Sequence, residues 1–148
     1  MTTIGSPVSG DVVGMSDVPD PVFAQAMVGP GVAVEPAGGE QEALAPIGGT
    51  VVTLHPHAFV VAAEDGKGVL VHLGLDTVKQ QGDFTVHVAK GERVRAGQPL
   101  IRWNPETVRA AGCSAVVPVV ALDARAGALS RVPAGGRITA GGQLFVWE

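Results

Sequence analysis

Short runs of Val, Ile and Leu, broken by glycine or proline, recur along almost the whole chain, at residues 11–13, 32–34, 50–54, 59–62, 69–73, 100–103 and 144–147. Apolar, β-branched runs of this length between turn-forming residues predict many short strands closed into a sandwich or barrel. Helix is expected only in two short pieces. One covers 105–111, with Asn104 as N-cap and Pro105 at the first helical position; the other is a turn over 21–27 capped by Asp20.

Two internal echoes order these strands. The segment Gly91-Glu-Arg-Val-Arg-Ala-Gly97-Gln-Pro-Leu100-Ile-Arg-Trp103 recurs as Gly135-Gly-Arg-Ile-Thr-Ala-Gly141-Gly-Gln-Leu144-Phe-Val-Trp147. More weakly, Pro7-Val-Ser-Gly10-Asp-Val-Val13 recurs as Pro46-Ile-Gly-Gly49-Thr-Val-Val52. Each unit reads as strand, tight turn, strand, so the expectation is an all-β, duplicated β-sandwich formed as one domain over 1–148.

Composition sharpens this picture. The 148 residues include 21 glycines and 11 prolines, which leaves little room for long helices, while 46% hydrophobic content is enough for a buried core. A net charge of −4 without a Lys/Arg cluster argues against nucleic acid as a partner. No run approaches the ~18 apolar residues of a membrane span. One cysteine, Cys113, allows no internal disulfide, and the N-terminus does not read as a signal peptide, so a cytoplasmic setting without direct membrane insertion is expected.

The candidate chemistry lies in the histidines. In residues 69–73 alternation puts Leu70, His72 and Gly74 on one face and Val69, Val71 and Leu73 on the other. The preceding run and this one form a hairpin around Glu64-Asp65-Gly66. A two-residue loop at Glu64 and Asp65 would set His57 directly opposite His72, with Cβ atoms roughly 5 Å apart. Two facing imidazoles allow phosphorylation of one with hydrogen bonding by the other, a shared metal, or general base chemistry. No phosphate-binding glycine loop is present, so a phosphoryl group would have to come from another phosphoprotein. Apolar residues around the histidines would dock such a partner.

His57-Ala-Phe59 and Val71-His72-Leu-Gly74-Leu-Asp76-Thr77-Val78, together with Val18-Pro-Asp20, Phe23-Ala24, Met27-Val28-Gly29, Ala45-Pro46 and Gly49, resemble the glucose-type enzyme IIA of the bacterial phosphoenolpyruvate-dependent sugar phosphotransferase system. The resemblance runs from about Ile4 to the C-terminus. It implies a barrel-sandwich hybrid fold and a cytoplasmic phosphocarrier. The residue matching His72 would accept a phosphoryl group on Nε2 from the histidine phosphocarrier protein and pass it to a cysteine of a sugar-specific IIB domain of a IIBC permease. His57 would support transfer by hydrogen bonding, and Asp76 would orient at the rim. Val22, Phe23, Met27, Val28, Leu70 and Leu73 would form the docking surface. No cofactor is required, although the family also has regulatory targets, and zinc could be held by His57 and His72 at such a partner interface.

The chain departs from the family pattern in several places. His55 stands where relatives carry a small hydroxyl residue that hydrogen-bonds the supporting histidine. Leu70 and Leu73 replace phenylalanines, Gln81-Gly82-Asp83-Phe84 is a shortened turn, and an N-terminal extension is not expected. Two other readings are open: a non-catalytic regulatory module, and a zinc peptidase resembling the LytM-like family through His55-x-His57 and His72-x-x-x-Asp76, here in reversed order. Cys113 is expected as a small buried filler, His87 on the solvent face of a strand, and Trp103 and Trp147 as packing residues.

Overall fold

The computed structural model describes residues 1–76 and 83–148. In chain order the strands are β1 (Thr2–Gly5), β2 (Gly10–Gly14), β3 (Gly31–Pro36), β4 (Gln41–Leu44), β5 (Gly49–His55), β6 (Ala58–Ala62) and β7 (Gly68–His72). After them come β8 (Thr85–Val86), β9 (Arg93–Val94), β10 (Pro99–Trp103), β11 (Val117–Ala121), β12 (Leu129–Ser130), β13 (Arg137–Ile138) and β14 (Gln143–Trp147). Two short helices, α1 (Pro21–Ala24) and α2 (Pro105–Ala110), interrupt them. Both begin as expected. Asp20 Oδ1 accepts from Val22 N and Asn104 Oδ1 from Glu106 N, each at 2.9 Å, with proline at the first helical position. α1 is shorter than 21–27, because Ala26 takes a positive φ of 54° and turns the chain away.

The strands form an eight-stranded sheet, β13-β2-β3-β11-β7-β6-β5-β9, and two three-stranded sheets, β1-β14-β12 and β4-β10-β8. Their pairings are antiparallel. This is the all-β sandwich read from the sequence, and the duplication is built into its hydrogen bonds. Gly5 N donates to Pro46 O and Leu44 N to Pro7 O, both at 2.9 Å, so the two half-motifs cross-link each other. The stronger echo is equally plain: Gly97 N donates to Ala45 O, and its counterpart Gly141 N to Ser6 O. Gly10 and Gly49 recur for a steric reason. A Cβ on Gly10 would lie 2.1 Å from Glu35 O, and one on Gly49 2.1 Å from Ala62 O, so each strand passes too close to its neighbour for a side chain.

The central strands are buried on both faces. Val69, Val71 and Leu73, with Val32, Val34, Val117 and Val119, enter the main core alongside Phe59, Trp103 and Phe145. Ala33 and Val120 point the other way, into a second cluster with Met15, Val18, Phe23, Leu75 and Val116. That second cluster exists because residues 15–30, which link β2 to β3, fold over the sheet. The equivalent link in the other half, between β5 and β6, is only the turn at Pro56 and His57.

The β6–β7 register differs from expectation. His72 pairs with Ala58, one position from the predicted partner. The loop has three residues, Glu64 to Gly66, closed by Ala63 N donating to Lys67 O at 2.9 Å, and Gly66 adopts φ 92°. A type I turn ending in a left-handed glycine adds one residue to the loop and shifts every pair by one.

Candidate functional site

A one-residue slip on regular strands would send His57 and His72 to opposite faces. They nevertheless meet, because His57 lies in the β5–β6 turn, where strand alternation does not apply. Its carbonyl still accepts from Leu73 N at 2.7 Å, anchoring the turn to the end of β7. The two rings stand edge to face with centroids 5.1 Å apart. His55, at the end of β5, stacks on His57 at 5.7 Å and 26°. Phe23 from α1 closes on His72 at 5.6 Å.

The tautomer of His72 follows from one contact. Its Nδ1 donates to the carbonyl of Gly74, two residues on, so the proton resides on Nδ1 and the lone pair on Nε2. Nε2 makes no hydrogen bond among the described residues. Burial lowers the pKa of His72 below the ordinary histidine value, although the Gly74 carbonyl, Asp20 and Asp76 all act to raise it. The pKa of His57 is also lowered, first by burial and then by the neighbouring His72 and His55. Both rings therefore favour the neutral form. His57 Nδ1 is buried and has no hydrogen-bond partner among the described residues.

The expected docking residues lie on the β2–β3 connection, which brings Phe23 beside His72, and on β7. Val22 is 42% and Met27 67% exposed, and Val28 and Leu70 are half-buried. Phe23, at 8%, forms the floor beside His72. Leu73 is a correction: it is fully buried in the main core, as the alternation with Val69 and Val71 requires, and it offers nothing to a docking partner. Asp76 is exposed at the rim with a left-handed φ of 57°.

Cys113 is a second correction. It is half-buried rather than buried, with Sγ 3.7 Å from Asp76 O beneath the rim. His87 follows β8, and its Nε2 pairs with Glu42 at 2.8 Å. Trp103 and Trp147 pack at 1% and 7% exposure. Thr77, Val78, Gln81 and Gly82 lie outside the described residues. Sequence reasoning took Asp20 only as a helix cap; its charge also acts on His72, which becomes visible once α1 is seen folded over β7.

The backbone of this site occurs twice. In the other half Ala121 N donates to Pro30 O at 2.9 Å, matching Leu73 N to His57 O, and Val120, paired with Gly31, stands where His72 pairs with Ala58. Only one copy carries imidazoles.

A neutral imidazole with its lone pair on Nε2, a second imidazole beside it and apolar residues near by suit a protein that carries a group on histidine. The family comparison is specific: residues 2–126 match the phosphoenolpyruvate-dependent sugar phosphotransferase system EIIA 1 family, and the chain belongs to it. It is 41% identical over 127 residues to the glucose-specific EIIBCA component of Corynebacterium glutamicum, covering 84% of this chain but 18% of that protein. With the glucose-specific EIIA component of Oceanobacillus iheyensis it shares 40% over 121 residues, 80% of this chain and 72% of the relative. The solved glucose permease IIA from Mycoplasma capricolum superposes with a TM-score of 0.89 at 28% identity, covering 97% and 94% of the two chains. The chain is thus a phosphotransferase component, a phosphocarrier of the sugar phosphotransferase system. The peptidase reading is not favoured: among the described residues no three His, Cys, Asp or Glu side chains are arranged to hold a metal.

Proposed function

We propose that His72 Nε2 is the phosphoryl acceptor, that the donor is the histidine phosphocarrier protein, and that the recipient is a cysteine of a sugar-specific IIB domain in the cytoplasm. The observation that carries this reading is the Nδ1 contact to Gly74, which leaves Nε2 as the nucleophile beside His57. The Nε2 lone pair attacks phosphorus, the bond to the donor's imidazole breaks, and that nitrogen leaves with the electron pair. His57 hydrogen-bonds the phosphoryl oxygens. A thiolate on the recipient then attacks phosphorus, and His72 regains its lone pair. The proton stays on Nδ1, hydrogen-bonded to the Gly74 carbonyl, throughout, so no proton has to move at the acceptor ring.

Val22, Met27, Val28 and Leu70 would seat both partners and exclude water from the labile N–P bond. A IIB recipient is supported by the names of relatives in which the A component shares a chain with B and C components. A cytoplasmic site of action fits the absence, among the described residues, of any helix long and apolar enough to cross a membrane. The reaction itself needs no cofactor. The two histidines offer zinc two ligands, so a metal held here would need further ligands, such as a carboxylate from a bound regulatory partner.

The test is incubation with labelled phosphoenolpyruvate, enzyme I and the histidine phosphocarrier protein. Acid-labile phosphate should appear on His72 and be absent from a His72→Gln variant. His57→Gln should accept phosphate and discharge it slowly to the purified IIB domain of the Corynebacterium glutamicum relative. A protein that takes up no phosphate under these conditions refutes the reading.

A further inference from the structure

His57 is held in an unusual way. Its buried Nδ1 has no hydrogen-bond partner among the described residues, so no hydrogen bond from them to that nitrogen orients the ring. A buried histidine normally has its second nitrogen engaged, which fixes both the tautomer and the direction of the other nitrogen. Two rings lie against His57: His72 in an edge-to-face arrangement and His55 stacked on it. The separation of 5.7 Å and the tilt of 26° fall within the range of offset aromatic stacking. His55 itself is exposed at the end of β5, with its backbone fixed by pairing with Ala58. A ring anchored there limits rotation of His57 about its own side-chain bonds.

We propose that His55 is a positioning residue for phosphoryl transfer, holding the His57 ring in place by stacking, in the role that a hydrogen bond to Nδ1 would otherwise fill. The proposal rests on the phosphocarrier reading above. The electrostatics agree with the geometry. His55 adds to the forces that keep His57 neutral, the others being burial and His72 on β7. Asp20 ahead of α1 and Asp76 after β7 act on His72, where His55 opposes them. A neutral His57 has one N–H to give, and a held ring gives it in one direction. His55 touches no reacting atom in this scheme. Its effect passes through His57.

The experiment uses the full chain with His55→Ala, which removes the ring, and His55→Phe, which keeps the stack and removes the charge. The first readout is the titration of the His57 ring by two-bond 1H–15N NMR, which needs no phosphotransfer. Its midpoint should rise in His55→Ala, where shielding and charge are both lost, and rise less in His55→Phe. The second readout is discharge from phosphorylated His72 to the purified IIB domain of the Corynebacterium glutamicum relative. This should slow about five- to tenfold in His55→Ala, stay within about twofold in His55→Phe, and be unaffected by His55→Ala in a His57→Gln background. A His57 midpoint that does not move in His55→Ala, or equal slowing with and without His57, overturns the proposal. Were the wild-type chain to take up no phosphate, the phosphocarrier reading would fall, and the His57 titration alone would still decide whether His55 holds the ring.

Discussion

Phe23→Ala is the most informative single change, because Phe23 belongs both to the packing of the β2–β3 connection and to the environment of His72. The ring is 8% exposed, lies in the second cluster with Met15, Val18, Leu75 and Val120, and stands 5.6 Å from the His72 ring. Losing a nearly buried phenylalanine costs about 3 kcal/mol or more when the cavity cannot close. Here α1 has only four residues and two exposed neighbours in Val22 and Met27, so partial collapse should hold the cost at about 2–3 kcal/mol. With a urea m-value of about 2 kcal/mol/M, the unfolding midpoint should drop by about 1–1.5 M with the slope unchanged. The same variant admits water to His72. Since burial is the largest cause of its lowered pKa, the His72 titration midpoint should move up toward the ordinary histidine value. Urea unfolding and ring NMR on one sample check both effects. A destabilised protein with an unmoved His72 midpoint would show that Phe23 is not what shields the histidine.

Gly10→Ala should cost 3 kcal/mol or more, roughly, or prevent folding, because the added Cβ meets Glu35 O on the neighbouring strand; thermal melts followed by circular dichroism measure it. Asp76→Asn keeps a residue that tolerates the left-handed backbone but removes a carboxylate that raises the pKa of His72, so the His72 midpoint should fall further with little loss of stability. Stability should also depend on pH in a defined direction. His57 and His72 bind protons less readily folded than unfolded, so their contribution is whole above the unfolded value of about 6.5 and declines as pH drops through the window down to their lowered folded values. Urea midpoints between about pH 7.5 and 5.5 should fall more steeply for wild type than for the His57→Gln/His72→Gln double variant.

Much of the fold could be read from local signals, because those signals were steric. Asn104-Pro105 and Asp20-Pro21 each supply a cap and a first helical residue, Gly10 and Gly49 of the weaker echo lie where strands pass at backbone contact, and Gly97 and Gly141 of the stronger one take left-handed turns. The β6–β7 register was missed because Glu64-Asp65-Gly66 supports either a two- or a three-residue loop, and the choice depends on Gly66 taking a left-handed conformation. The histidine pair was found through the wrong register, and it survives because His57 is in a turn. Leu73 was assigned to the surface by resemblance, against the alternation of its own strand, and the alternation was right. Strands β1, β4 and β11 carried weaker patterns. β11 is buried on both faces, so its run from Val117 to Ala121 shows no polar alternation. The stacking of His55 on His57 depends on how the β5–β6 turn aims two side chains, and the field of Asp20 at His72 is a long-range fact that no local pattern contains.

The duplicated frame with imidazoles in only one copy has a consequence for traffic through the molecule. Val120 and Pro30 occupy the second copy of the frame, so it has no nucleophile, and Val120 is buried in the cluster that Phe23, Val28 and Leu70 also enter. Donor and recipient must therefore use the same face, one after the other. On the proposed reading the chain is a shuttle with a single berth: a recipient can be served only after the donor has departed, and an excess of either, in its spent form, blocks the other.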